Sequence, residues 1–333
     1  MTKHSWQFFH STESTWTELL SACEQATTSI DLEQFVFGHP GAIEEQFTQI
    51  FLKKAKQGVR VRLLLDMMGS FSFYKSATCG ELVRAGVEIN YHSVIWWPPL
   101  KRVLPFILRD HRKLIVIDEK KAYIGGVIIQ ERARDWRDTF VSIDGPVVKD
   151  MTHAFTVAWS QALKNSPVGQ VKSKNEHGEF YIVGNSFHLH DKDLYRTILR
   201  AITTAKSHIS ITTPYFLPTK ELLRALYFAR KKGVSVTLLF PKCSDNFCAD
   251  FLSRFFYKTL RKHGIRIYLY KKNILHAKTM VIDGNWATVG SCNFDLLSFW
   301  WNYELNLVST NHNFVAEMEQ QFAEDLKESE EVL

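Results

Sequence analysis

The chain has 333 residues, of which 45 % are apolar and 23 % charged, with a formal net charge of +6. That length suits two domains of roughly 150 residues each, and the balance excludes a disordered, fibrous or collagen-like chain. The C-terminal EDLKESEEVL is acidic, so the remainder is more basic than the total, which favours polyanions or anionic lipid surfaces as partners. The five cysteines (Cys23, Cys79, Cys243, Cys248 and Cys292) are odd in number, widely spaced and free of any CxxC pattern. They read as reduced thiols rather than a disulfide frame or a zinc site. The opening MTKHSWQFFHSTEST lacks an uninterrupted apolar run, and no stretch of about 20 apolar residues follows. The expectation is a cytoplasmic chain with no signal peptide and no transmembrane segment.

In chain order, helical periodicity in WTELLSACEQA leads into the extended run SIDLEQFVF. KKAKQGVRVRLLLD follows, a helix ending in a lysine-rich turn and a glycine stop before a strand, and LVRAGVEINYH repeats that grammar. After a Trp/Pro-rich run comes the strand HRKLIVID. Beyond the polar, aperiodic LKNSPVGQVKSKNEHGE the same succession returns as LYRTILRAITTA, HISITTPYF, ARKKGVSVTLLFP, LRKHGIRIYLY and HAKTMVID. Strands and helices alternating in this way, twice, predict an α/β protein of two similar domains, each a mixed sheet flanked by helices. The boundaries read as a first domain over 1–163, a linker over 164–178 and a second domain over 179–333.

The repeat isolates one segment. Gly86 and His111 are 25 residues apart whereas Gly264 and His276 are 12 apart, so the first half carries 13 extra residues. They fall within VIWWPPLKRVLPFILRDH, with Trp96, Trp97 and Phe106 among Lys101, Arg102 and Arg109. An insertion between two core strands lies on the surface or over a cleft. Tryptophan with Lys/Arg suits a lipid headgroup layer, while a plain lid over the site explains the same residues.

The pattern H-x-K-x-x-x-x-D occurs at His111, Lys113 and Asp118, and again at the matching His276, Lys278 and Asp283. Residues i and i+2 of a strand share a face, so each copy presents an imidazole beside an ammonium. Each aspartate stands where its strand ends in a turn, either capping it or orienting a histidine of the other half. Two imidazoles and two ammoniums on one site suit phosphodiester chemistry. A neutral imidazole attacks phosphorus, the protonated one serves the leaving oxygen, and the lysines stabilise charge on the non-bridging oxygens. None of these roles requires a metal or a cofactor. The sequence does not choose which histidine is the nucleophile.

These residues, with WRDTFVSIDGP, TPYFLPTKELLRAL and SCNFD…NYE, resemble the phospholipase D superfamily, specifically its bacterial cardiolipin synthase-like branch, over about residues 15–325. The resemblance implies a two-step reaction through a phosphohistidine and a pseudo-twofold arrangement in which a monomer already has a complete site. His111 and His276 become nucleophile and acid/base, Lys113 and Lys278 phosphate ligands, and Asp118 and Asp283 supporting residues. The family's Gly-Ser-x-Asn falls on Gly290, Ser291, Cys292 and Asn293, with Glu304 on the next strand; Ser291 and Asn293 become holders of the phosphate and its histidine. In the first half Gly125-Gly126 takes the Gly-Ser place, which puts Gly126 with Ser291, Asn293 and Glu304 among the residues the resemblance implies at the substrate, and Ile128 replaces the asparagine, so the halves are not equivalent.

The expected activity is phosphatidyl transfer to an alcohol such as phosphatidylglycerol, by a chain working peripherally at a membrane on phospholipid substrate. Hydrolysis to phosphatidic acid is the same chemistry with water as acceptor. A nuclease would call for a basic groove with stacking aromatics, against which the mild charge and the apolar insertion argue. A membrane-binding adaptor with an inert copy of the fold is the non-enzymatic alternative.

Overall fold

The computed structural model describes residues 4–92, 109–164, 178–186 and 192–333. Trp96, Trp97 and Phe106, and all but the ends of the expected linker, lie outside the described residues.

The first half runs β1 (Ser5–Phe9), α1 (Thr12–Gln25), β2 (Ser29–Gln34), α2 (Ala42–Lys56), β3 (Arg60–Asp66), α3 (Phe71–Tyr74), α4 (Ala77–Arg84), β4 (Glu88–His92), β5 (Leu114–Ile117), β6 (Lys121–Gly125), β7 (Phe140–Asp144) and α5 (Val147–Leu163). The second runs β8 (Phe180–Asn185), α6 (Asp193–Thr204), β9 (His208–Thr212), β10 (Phe216–Leu217), α7 (Lys220–Lys231), β11 (Ser235–Pro241), α8 (Phe247–Lys262), β12 (Arg266–Tyr270), β13 (Thr279–Ile282), β14 (Trp286–Gly290), β15 (Phe294–Asp295), α9 (Leu296–Trp300), β16 (Glu304–Ser309), α10 (His312–Lys327) and β17 (Ser329–Glu331).

Among the described residues the first sheet has the order β1-β7-β6-β5-β2-β3-β4 and the second β17-β12-β11-β9-β13-β14-β16-β8. Read from opposite ends the two orders coincide, apart from β17. The repeated helix-glycine-strand units become the parallel strands β2-β3-β4 and β9-β11-β12. The motif strands β5 and β13 pair antiparallel beside them. The glycine stops are needed as such: Gly58, Gly86, Gly233 and Gly264 all have positive φ, where a side chain is strained. The acidic C-terminus, read from sequence only as charge, forms β17 on the edge of β12.

Each sheet buries two faces. On the outer face of the first sheet, α1, α2 and α4 contribute Trp16, Leu19, Phe47, Phe51 and Leu82 to one core. On the outer face of the second, α6, α7 and α8 contribute Ile198, Leu222, Leu226 and Leu260 to another. The inner faces share a third core, in which Val116, Ile124 and Val141 of the first half join Val289, Leu305 and Leu307 of the second, closed by Phe155 of α5 and Phe314 of α10. This shared apolar layer holds the motif-bearing edges of the two sheets in fixed relation.

The motif aspartates belong to this scaffold. Asp118 and Asp283 sit in turns with φ of 53° and 55°, the left-handed region that Asp tolerates better than bulkier residues. Asp118 accepts from the backbone N–H of Thr27 (2.9 Å), Thr28 (2.7 Å) and Ser29 (2.9 Å). Asp283 does the same for Lys206 (2.8 Å), Ser207 (2.7 Å) and His208 (3.0 Å). Each therefore ties its turn to the start of the neighbouring parallel strand, roughly 15 Å along the strand from the motif lysine. Of the two roles the sequence left open the turn-capping one holds, and the two aspartates do not join the catalytic histidines as the resemblance implied: backbone amides at the far end of the strand use up the carboxylate oxygens. Burial pushes against ionisation, but these amides outweigh it and hold both carboxyls below their usual range. The stabilisation is complete above about pH 4 and fades as the pH falls below it. Asp118→Ala is expected to lower the unfolding free energy by about 2 kcal/mol, allowing for its partial exposure. Urea denaturation at pH 7 measures this, and the difference from the parent chain should shrink at pH 3.

Candidate active site

His111 and Lys113 lie just before β5, and His276 and Lys278 just before β13, at the edge where the parallel strands end. Open α/β sheets place ligands at that edge. What brings the two copies together is backbone pairing that crosses between halves. His111 N–H donates to the Tyr303 carbonyl (3.0 Å) and Tyr303 N–H to the Arg109 carbonyl (2.9 Å). In the mirrored arrangement His276 N–H donates to the Arg137 carbonyl (2.7 Å) and Arg137 N–H to the Ile274 carbonyl (2.8 Å).

Each pairing delivers a carboxylate to the opposite histidine. Glu304, next to Tyr303, lies 3.1 Å from His111 Nδ1 through either oxygen. Asp138, next to Arg137, lies 2.7 Å from His276 Nδ1. A carboxylate only accepts, so Nδ1 carries the proton in both rings and the basic nitrogen is Nε2. Lys278 Nζ also stands 2.9 Å from His276 Nδ1, but that nitrogen has no lone pair left once its N–H points at Asp138. The lysine donates instead to the His276 carbonyl. Lys113 Nζ donates likewise to the His111 carbonyl at 2.6 Å. Phe35 meets the His111 ring edge-on at 4.6 Å, and Trp136 lies 4.9 Å from the ring of His276.

Both histidines line one cavity of about 410 Å³ with Phe35, Ile128, Tyr215, Asn293 and Asn302 among its walls. A larger groove of about 720 Å³ opens between α6 and the β13–β14 turn, beside Asp283. It holds neither histidine, so the smaller cavity is the candidate site.

Burial sets the electrostatics. It lowers the His111 pKa, with Glu304 opposing and Lys113 assisting, and it lowers His276 to about 4, with Lys278 assisting and Asp138 opposing. Lys113 falls to about 7 and Lys278 to about 8, burial being the first cause in each. For Asp138, burial is outweighed by Lys278 and His276, and its pKa is lowered. Burial thus disfavours the charged forms of these four bases, and an anion entering the cavity restores them.

Several sequence expectations are redistributed. Ser291 does not line the cavity: its hydroxyl donates to Glu304, and so acts on His111 through that carboxylate. Gly126, expected at the substrate, instead makes room for an acid, because a Cβ there would fall on the Asp138 carboxylate. Asn293 does line the cavity, and its Oδ1 is buried with no hydrogen-bond partner among the described residues. Ile128, at the equivalent place in the first half, makes that wall apolar.

Asp138 and Asn302 were not singled out from the sequence. The repeat carries a signal for Asp138: it follows His111 by 27 residues, as Glu304 follows His276 by 28. Asn302 has no such counterpart. Its Oδ1 is likewise buried and unpartnered among the described residues, beside Glu304.

Comparison with known proteins gives the family of the chain. The family model for the cardiolipin synthase, phospholipase D-like domain matches residues 19–159 and 198–326. The chain is 31 % identical over 345 residues to the probable cardiolipin synthase YwiE of Bacillus subtilis (strain 168), covering 99 % of this chain and 68 % of that protein. It is 32 % identical over 333 residues to a cardiolipin synthase of Geobacillus kaustophilus (strain HTA426), covering 95 % and 64 %. The chain thus spans about two thirds of the length of these relatives. Phosphatidylserine synthase from Haemophilus influenzae Rd KW20 superposes with a TM-score of 0.74 at 12 % identity, over 98 % of this chain and 87 % of that one, so the two share a fold. With both halves matched by one model and relatives aligned along nearly its whole length, the chain belongs to the cardiolipin synthase family of phospholipase D-like proteins.

Proposed function

We propose that the chain is a phosphatidyltransferase of the cardiolipin synthase type, moving a phosphatidyl group through a phosphohistidine to an alcohol acceptor such as phosphatidylglycerol. The observation that carries this reading is the pair of histidines on one cavity, each with Nδ1 held by a carboxylate from the opposite half. A fixed Nδ1–H leaves Nε2 as the reactive nitrogen of each ring. The resemblance of the whole chain to cardiolipin synthases supports a phospholipid rather than a nucleic acid as the diester.

In the first step Nε2 of one neutral histidine attacks phosphorus. The bond from phosphorus to the leaving glycerol oxygen breaks, and the other histidine, protonated, gives that oxygen its proton. In the second step the now neutral acid takes the proton of the acceptor hydroxyl. The acceptor oxygen attacks phosphorus and the phosphorus–nitrogen bond breaks, restoring the first histidine. Each lysine spends one N–H on a histidine carbonyl and keeps two donors for phosphate oxygens. Asn293 adds an amide whose 180° rotation turns a donor toward the anion.

One chain supplies both histidines and both carboxylates, so a monomer is sufficient for this chemistry. None of the described helices is long and apolar enough to cross a membrane. The proposed mode of work is peripheral, on the surface of the membrane that contains the substrate.

Purified protein given labelled phosphatidylglycerol in liposomes is expected to form labelled cardiolipin and release glycerol. Phosphatidic acid as the sole product would replace transfer by hydrolysis, and no lipid product at all would sink both. His111→Ala and His276→Ala should each reduce turnover to no more than a few per cent, since their roles are complementary.

Glu304→Gln and Asp138→Asn remove the charge that orients and supports each imidazolium. Each is expected to lower kcat by on the order of 10²-fold or more with little change in KM. Because burial lowers both histidines in the free chain and a bound phosphate diester raises them again, the alkaline limb of kcat/KM should lie at lower pH than that of kcat. Coincident limbs would show that the substrate's charge does not reach the acid.

A further inference from the structure

Helix α8 has the sequence FCADFLSRFFYKTLRK and buries only one side, through Ala249, Ser253 and Leu260. Phe247, Phe251 and Phe255 recur every four residues along its outer side and are 80 %, 55 % and 65 % exposed. At roughly 200 Å² per ring they leave on the order of 400 Å² of aromatic surface in water, as much as the largest patch on an ordinary soluble monomer. The patch does not end with the helix. Leu252 of α8 and Leu297 of α9 are about half exposed, and both line the wall of the catalytic cavity. Leu296, Trp300 and Trp301 continue the apolar surface along α9.

Beyond Asp250 in the first turn, the charges on the same side of α8 share one sign. Arg254, Lys258 and Lys262 are exposed and also recur every four residues, so Phe251 and Phe255 each have a cation three residues on. Asp250, the acidic residue of the helix, accepts from the Ser244 backbone N–H at its base. Exposed Phe alternating with Lys/Arg along one helical face is the composition of a helix that lies in a headgroup layer. A protein–protein core of the same apolar area is depleted of lysine.

We propose that α8, continued by α9, is the membrane-docking face of the chain, seating its phenylalanines in an anionic phospholipid monolayer. The catalytic cavity then opens directly onto the acyl boundary. Leu252 and Leu297 belong both to this face and to the cavity wall, so a phospholipid passes from the monolayer to the histidines along continuous apolar surface. This placement rests on the proposed phospholipid chemistry for its purpose, but the surface itself is read by vesicle binding alone.

The test uses the full chain and vesicles of phosphatidylglycerol mixed with phosphatidylcholine, with pure phosphatidylcholine vesicles beside them. Co-sedimentation should favour the anionic vesicles and weaken with added salt. The triple variant Phe247→Ser, Phe251→Ser, Phe255→Ser should bind the anionic vesicles at least ~10-fold more weakly. Its turnover of a short-chain phospholipid dissolved below its micellar concentration should match the parent. Separately, Phe255→Cys carrying an environment-sensitive dye, with Cys243→Ser and Cys248→Ser, should show a blue shift when anionic vesicles are added. Undiminished vesicle binding by the triple variant, or no shift of the dye, overturns the proposal. A triple variant that still binds vesicles but no longer self-associates would assign the face to a second copy of the chain and overturn it equally. If the parent binds vesicles through this face yet turns over no phospholipid, the catalytic reading fails while the surface stands.

Discussion

The carboxylate–imidazole pairs that cross between the halves are the constraint on which the rest of the site depends. Glu304 reaches His111 and Asp138 reaches His276, and each does so because the residue beside it has entered a short backbone pairing with the opposite half. Neither half orients its own histidine. A chain with one half missing keeps an imidazole and an ammonium but loses the acceptor that fixes the tautomer. The shared apolar layer between the sheets is what makes that exchange rigid, since close-packed cores do not slide by the fraction of an ångström that would break a 2.7 Å contact.

That rigidity carries an electrostatic cost. Two histidines and two lysines are buried together, and burial pushes the lysines down toward neutrality. A cluster of bases held apart from water favours an anion that fits. The same burial keeps the imidazoles neutral until that anion arrives. Folding therefore stores in the site a demand that a phosphate diester satisfies. The cores on either side of the sheets offset its cost.

The two halves differ where catalysis needs them to. Around Glu304 the second half has Ser291 to orient the acid and Asn293 to face the cavity. Around Asp138 the first half has Gly126, which yields space to a shorter acid, and Ile128, which presents a methyl surface. A symmetric cavity would bind two like groups, whereas this one offers amides on one side and an apolar wall on the other. The aromatic neighbours follow the same division, with Phe35 at His111 and Trp136 at His276.

The amino-acid sequence by itself determined the duplication, the α/β grammar of each copy and the pairing of His with Lys. These depend on local periodicity, glycine stops and i, i+2 spacing, all of which are written within a dozen residues. It could not place Asp118 and Asp283, because a carboxylate at a strand end serves a turn or a partner with equal local sense, and only the approach of the backbone amides 90 and 76 residues away decides which. Glu304 was legible through the family motif. Asp138 was not, although the repeat carried it, since its meaning arises only when the opposite half supplies the histidine. The exposed phenylalanines of α8 were equally hidden, because helical spacing marks a face without saying whether the sheet or the solvent receives it. Tertiary structure decided those points by the one thing a sequence pattern lacks, the identity of the surface each face is packed against.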